Sequence, residues 1–353
     1  MKKPFNITIK KKSIVIVGFI TLLMVYTLLT MLPKPTSHEG DNPFVKDEDA
    51  LPMLIAHGGG NHEFPDNTLE AYYNAYDADE NVMMETDVSL TRDGVIILSH
   101  DTTLDRKTTL TEAPIIETDY ETLINDEVDF GYENPIDSST KFNETATFIT
   151  YRNYKNEEVN PKDVHYPLGV EARHDDVFLT TTLEELIKAF PNNYINVEIK
   201  QSGDSGLDAL EATLDLLNTL DEEYNTFSRI VLASFHEDIY EAIKTHAQET
   251  YKSLMFSPQE TTIRQFVILE KTRLSVFFKE PISVFQLPTT QQGILFAKES
   301  FINTAHAHNV AVHFWTINDQ ETMHKLIDVG ADGIMTDRPH LLKEVLAAHE
   351  VSE

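Results

Sequence analysis

The chain has 353 residues, 41% of them apolar, which is enough for the core of one large domain or two small ones. It has no cysteine, which excludes a disulfide framework, a thiolate metal site, a cysteine nucleophile and a lipidated-cysteine anchor. Acidic residues outnumber basic ones by 58 to 28; since residues 1–32 carry five lysines and no acid, the remainder has 23 basic against 58 acidic, a net of −35, which argues against nucleic acid or an anionic membrane face as a partner and favours cations.

Residues 13–32, SIVIVGFITLLMVYTLLTML, hold no charge, and twenty residues of helix span a bilayer core of about 30 Å. Lys2, Lys3, Lys10, Lys11 and Lys12 precede them, so the positive-inside rule keeps residues 1–12 in the cytoplasm and sends the rest to the outer side. A cleaved signal peptide fits less well, because the apolar run is too long and no small residues follow it. Residues 33–50 are polar and proline-punctuated, as a tether would be.

From Pro52 onward short apolar runs alternate with amphipathic stretches, the pattern of repeated βα units around a parallel sheet. Strands are predicted at 53–56, 82–88, 95–99, 194–200, 229–235, 251–256, 283–287, 310–315 and 332–336. Helices are predicted at 67–79, 182–189, 207–220, 238–247, 259–270, 297–308, 319–329 and 341–349. Nine strands are one too many for an eight-stave barrel. The pair 82–88 and 95–99 is joined by too few residues for a helical crossover, so either a ring helix is missing there and an extended segment returns, or another candidate is not a stave. Residues 102–177 break the rhythm and read as an insertion, with 142–154 able to form a hairpin; it leaves the chain just after His100 and Asp101, where a long loop would shape substrate access or be a plain surface excursion.

Within this pattern Glu85 and Asp87, one residue apart on a strand, project from one face, and Glu198 and Lys200 share a face of another. Carboxylates among apolar strand residues would neutralise unless a cation compensated them, so three such acids favour a bound divalent ion. His57 and His100 each end a strand. On parallel staves both lie at the carboxyl end of the barrel, where imidazoles are suited to give and take protons.

The segments IAHGGGNHEFPDNTLEAYYNAY, METDVSLTRDGVIILSHDTTLDRKT, VEIK, HFWTIND and GADGIMTDRP, in that order, resemble the glycerophosphodiester phosphodiesterase family over almost all of residues 54–339. The resemblance implies a TIM (β/α)8 barrel, which takes up residues 51–350 with the 102–177 insertion and stands behind the transmembrane helix read at 13–32. It implies hydrolysis of glycerophosphodiesters to glycerol 3-phosphate and an alcohol with a divalent cation, Ca2+ or Mg2+. Carried over by position, Glu85, Asp87 and Glu198 bind the metal, His57 and His100 form the acid–base pair, Lys200 faces the phosphate, and Trp315 lines the pocket near the glycerol. Which histidine is the acid stays open, as does whether water or a glycerol hydroxyl attacks first. The expected partners are a small glycerophosphodiester or a glycerol-phosphate polymer, and the membrane through the anchor, with the catalytic domain outside the cell.

Two positions depart from the family pattern. Arginine usually follows the first histidine, whereas this chain has Gly58, Gly59 and Gly60; the glycine-run amides, Lys200 or Arg338 are then expected to meet the phosphate. Asp66 stands where glutamate is usual, with Glu63 nearby to compensate. Two rival readings stay in view: a lipid phosphodiesterase of the phospholipase D or C type that uses the tether to reach headgroups in its membrane, and, because of Gly58, a non-catalytic surface barrel that only binds.

Overall fold

The computed structural model describes residues 11–108, 110–125, 127–131 and 157–350, with side chains from residue 15 onward. The barrel strands are β1 (Met53–Ala56), β2 (Met83–Leu90), β4 (Ile195–Ile199), β5 (Ile230–Ala233), β6 (Met255–Phe256), β7 (Val284–Leu287), β10 (Ala311–Phe314) and β11 (Gly333–Thr336). Their order is β6-β5-β4-β2-β1-β11-β10-β7, all neighbours parallel. The ends of this path meet where Ser283 N donates to Phe256 O at 3.0 Å, so the sheet nearly closes into a TIM-type barrel. A helix precedes or follows every stave: Leu69–Ala78, Leu183–Ala189, Gly203–Tyr224, Glu237–Glu249, Glu260–Lys271, Glu299–His306, Gln320–Asp328 and Pro339–Glu350.

The ninth predicted strand is β3 (Ile96–Leu98), which returns antiparallel onto the end of β2, Val88 opposite Leu98 and Leu90 opposite Ile96. The missing-helix alternative therefore holds, and the crossover to β4 is completed only by helix Leu183–Ala189, opened by a capping box between Thr182 and Glu185. A further hairpin, β8 (Thr290–Gln291) and β9 (Ile294–Leu295), turns on Gln292 and Gly293, both with positive φ. The predicted strand 251–256 shrinks to Met255–Phe256 because 251–254 form a turn, Leu254 N donating to Tyr251 O. Of the insertion, 142–154, where a hairpin was expected, lies outside the described residues. Its far end is tied back by Arg173, which pairs with the buried Glu70 at 3.1 Å.

Period-two alternation decides what fills the barrel. Ile55, Met83, Val231, Met255, Val284, Ala311 and Met335 form its apolar floor. Glu85 and Asp87 share a face with Met83, so the same alternation that buries the methionine lifts two carboxylates up the bore. Phe44 plugs the floor from below at 1% exposure, edge-on to Tyr194 and His313. Residues 37–46, within the segment expected to be a tether, thus lie against the amino-terminal mouth. Ser37 N donates to His308 O, and the Asn42 amide donates to the carbonyls of Ser283 and Asn309.

The first helix, α1, runs Lys11–Met31. No helix among the described residues is long and apolar enough to cross a membrane, so the expected span at 13–32 is not supported on that measure. The described side chains of α1 begin at residue 15, and 15–31 give only about 25 Å of helix at 1.5 Å per residue. Those side chains are apolar and largely exposed, Val15, Phe19, Leu22 and Leu28 among them.

Candidate active site

Glu85 and Asp87 on β2 and Glu198 on β4 offer carboxylate oxygens all within 4.8 Å of one another, an all-oxygen donor set suited to a hard divalent cation. The register explains the convergence, since Asp87 lies directly opposite Glu198 on the neighbouring strand. Lys200 Nζ lies 3.0 Å from Asp87 Oδ1 and 2.8 Å from Glu198 Oε1. Burial pushes the Glu85 carboxyl up, and Asp87 beside it adds to the rise; burial likewise raises Glu198 despite Lys200. For Asp87 burial is outweighed by Lys200 and the histidines, and its carboxyl is held low. Two buried acids driven toward neutrality fit a site that a cation completes.

His57 follows β1, and its Nδ1 lies 2.7 Å from Oδ1 of Asp337, which follows β11. Burial of His57 opposes its charge, but Asp337, Glu85 and Asp87 overcome it and lift the imidazole to about 10. His100 follows β3 and sets its Nδ1 2.8 Å from Asp101 Oδ1; that hydrogen bond, against partial burial, raises its pKa. Both histidines are thus held by an aspartate at Nδ1, leaving Nε2 as the free proton-transfer atom of each ring. They line a cavity of about 900 Å3 together with Glu85, Glu198, Lys200 and Trp315. Phe235, 64% exposed, meets Trp315 edge-on at 6.0 Å at its rim.

A buried network holds this arrangement. Asn67, in the left-handed region at φ 58, accepts at Oδ1 from Tyr72 OH, Thr86 Oγ1 and Asp87 N, and donates from Nδ2 to Asp66 and Asp87. Arg106 bridges Asp66, at 3.1 Å, and Asp101, at 2.5 Å. Asn318 donates to the second oxygen of Asp337 at 2.6 Å.

The model of the glycerophosphoryl diester phosphodiesterase family matches residues 57–341. The chain belongs to that family. Its members include phosphoric diester hydrolases. Among similar proteins, a probable glycerophosphodiester phosphodiesterase 2 of Mycobacterium tuberculosis is 27% identical over 170 residues, 47% of this chain and 60% of that protein. The human lysophospholipase D GDPD1 is 22% identical over 320 residues, 85% of this chain and 88% of that one. Two solved structures share the fold. A phosphodiesterase of Oleispira antarctica in complex with its product sn-glycerol 3-phosphate has a TM-score of 0.55 at 19% identity, covering 84% of this chain and 97% of its own. A glycerophosphodiester phosphodiesterase of Thermotoga maritima has a TM-score of 0.53 at 21% identity, covering 84% and 100%.

The structure gathers Glu85, Glu198, His57, His100, Lys200 and Trp315 around one cavity of this phosphodiesterase-family barrel, with the buried Asp87 clustered against Glu85 and Glu198. Gly58 is different in kind. Its amide donates to Glu85 Oε2 on β2 at 2.8 Å, and Gly60 N donates to His57 O, so two of the three glycine amides already have protein acceptors. Glu63 does not compensate for Asp66: it binds His340 and Asn74, away from the carboxylates, while Arg106 and Lys107 engage Asp66. Arg338 is exposed, donating to Asn318 O at 3.4 Å. Sequence reasoning passed over Asp337, Asn318, Asn67, Asp101 and Arg106 as working parts, though all lie inside the resembling motifs. His62, inside the first of those motifs, also lines the cavity, 3.6 Å from Asp337.

Proposed function

We propose that this chain hydrolyses glycerophosphodiesters to glycerol 3-phosphate and an alcohol. The observation that carries the reading is the convergence of two aspartate-backed histidines on one cavity with three carboxylates. Glu85, Asp87 and Glu198 would hold Ca2+ or Mg2+, which when bound supplies positive charge to a phosphate oxygen. The Lys200 ammonium adds charge that meets the phosphate from the protein side. His100, the more exposed ring, takes the proton from the attacking oxygen at Nε2 as the new P–O bond forms. His57, held protonated by Asp337, gives its Nε2 proton to the alkoxide as the old P–O bond breaks. Trp315 lines the wall beside the glycerol.

The likeness to a lysophospholipase D, together with the apolar rim of Phe235 and Trp315, supports a second reading in which lysolipids are substrates. We also propose that residues 13–32 anchor the chain in the cell membrane in a single pass, with the amino terminus cytoplasmic and the barrel outside. Twenty uncharged residues behind five lysines, and the exposed apolar side chains of α1, support it.

The test is turnover by the full chain on glycerophosphocholine, glycerol-phosphate polymer and lysophosphatidylcholine, with chelator and after restoring Ca2+ or Mg2+. Activity lost to chelator and absent in both His57→Ala and His100→Ala is expected; full activity in both variants would sink the assignment.

A further inference from the structure

The catalytic residues follow the carboxyl ends of their strands, so the opposite end of the barrel is made of the loops that lead from helices into strands. The loop 272–283, between helix Glu260–Lys271 and β7, belongs to that base. Two large apolar side chains lie exposed there or just before it, Ile268 at 63% and Phe277 at 52%. Within 271–279, KTRLSVFFK, stand Lys271, Arg273 and Lys279 and no acid, in a chain whose residues beyond 32 are net −35. The flanking acids are already engaged, Glu270 by Lys298 at 2.9 Å and Glu280 by Lys244 at 2.6 Å. Exposed apolar residues among basic ones have the composition of a surface that rests on lipid headgroups.

Position points the same way. Tyr26 of α1 donates its hydroxyl to Thr272 O at 3.0 Å, and Thr30 and Lys34 line a cavity of about 370 Å3 together with Arg273 and Ser275. Tyr26 lies five residues before the end of α1, about 8 Å of helix. If α1 spans the bilayer, Thr272 is brought down to headgroup level or below it, with Phe277 beside it. The polypeptide cannot hold the barrel further off, because His308 Nδ1 meets Pro35 O at 2.7 Å and Ser37 N meets His308 O at 2.8 Å.

We propose that the 268–279 rim is a membrane-contact surface that seats the barrel base-down on the bilayer holding α1, with Ile268 and Phe277 entering the interfacial layer and Lys271, Arg273 and Lys279 facing lipid phosphates. The catalytic mouth then faces away from that membrane, and its substrates are diesters that arrive from the aqueous side rather than lipids of the anchoring leaflet. This rests on the anchor proposed above.

The full chain is reconstituted into anionic vesicles whose lipids carry brominated acyl chains. Trp315, the only tryptophan, reports on the catalytic mouth without substitution. Phe277→Trp and Ile268→Trp, each with Trp315→Phe, report on the base, and either suffices if the other does not fold. We expect flotation with the vesicles, loss of most of the emission from the base reporters, and unchanged Trp315 emission. Failure to float overturns the anchor and the contact surface together. Flotation with unquenched base reporters, or with Trp315 quenched, overturns the contact surface and leaves the anchor standing.

Discussion

Asp337 Oδ1 sits 2.7 Å from His57 Nδ1, although 280 residues separate them in the chain. β1 and β11 are neighbours in parallel register, Ala56 opposite Thr336, so the residue after each strand emerges beside the other. Asp337 is not one of the three clustered acids, so its hold on the imidazole does not depend on what those acids bind. Asp337→Asn should lower kcat about 100-fold, within the range for a general acid or base, with KM nearly unchanged. Removing the charge also lowers the pKa of His57, so the alkaline limb of the pH–rate profile should move to lower pH. An unmoved limb with unchanged kcat would remove His57 from the proton-transfer pair.

Arg106 joins Asp66 and Asp101, and through Asp101 it fixes His100. Arg106→Leu takes a guanidinium away from the buried Asp66 while Lys107 and the Asn67 amide stay, so the cost falls at the low end for a broken buried pair, about 3 kcal/mol in urea unfolding. Turnover should fall as well, because Asp101 is no longer held. A variant of unchanged stability would mean that Lys107 alone neutralises Asp66.

The three acids were legible because strand periodicity is local: Glu85 and Asp87 need only one intervening residue to share a face, and Glu198 needs only its own strand. The eight-stave count resolved once β3 turned out to be antiparallel, which the short 89–94 connection had left as one of two options. Asp337 and Asn318 were illegible as partners because strand adjacency around the barrel, not sequence spacing, brings them to His57. Asn67 was quoted within a motif, yet its role depends on a left-handed backbone that turns its amide onto β2. The docking of 37–46 was hidden by composition, since polar and proline-rich residues pack through main-chain carbonyls and one aromatic, Phe44, as readily as they form a tether.

Asn67→Ala removes the acceptor shared by Tyr72, Thr86 and the Asp87 amide, and the donor to the Asp87 carboxylate. A support of this kind, one step behind the carboxylates, is worth about 10- to 100-fold in metal affinity. Calorimetric titration with Ca2+ should show a loss of that order, and an unchanged affinity would place the cation away from Asp87.

His313 is fully buried in the bore, with neither ring nitrogen partnered among the described residues, and Gly333 makes room for its ring, a Cβ there falling 2.6 Å from it. Burial, opposed only by Asp332, lowers its pKa to about 4. In the unfolded chain it titrates near 6.5, so between 6.5 and about 4 the unfolded state binds the extra proton. Stability is then complete above 6.5 and falls by about 1.4 kcal/mol per pH unit below it, about 3 kcal/mol in all. Unfolding of wild type and His313→Leu at pH 7, 6, 5 and 4 isolates the effect: the difference between them should change steadily over that window. A difference independent of pH would show that the ring is satisfied in the fold.

Gly58 and Gly59 separate backbone need from side-chain need. Both have positive φ, 55 and 85. A Cβ on Gly59 would lie 2.7 Å from Ala71 Cβ in helix Leu69–Ala78, whereas one on Gly58 would lie 3.0 Å from Asp66 Cβ. Gly59→Ala must push a packed helix away and should cost about 3 kcal/mol, and Gly58→Ala about 1 to 2 kcal/mol from left-handed strain. Gly58→Arg brings the arginine that the family resemblance leads one to expect after the first histidine, but its side chain would leave the backbone toward Asp66, and the strain falls on the amide that holds Glu85. Turnover on soluble glycerophosphodiesters should therefore fall in Gly58→Arg, by at least as much as in Gly58→Ala. A gain of activity in the arginine variant would show that the loop can take a side chain at this position without losing its hold on Glu85, and that the glycine run serves substrate choice rather than the support of Glu85.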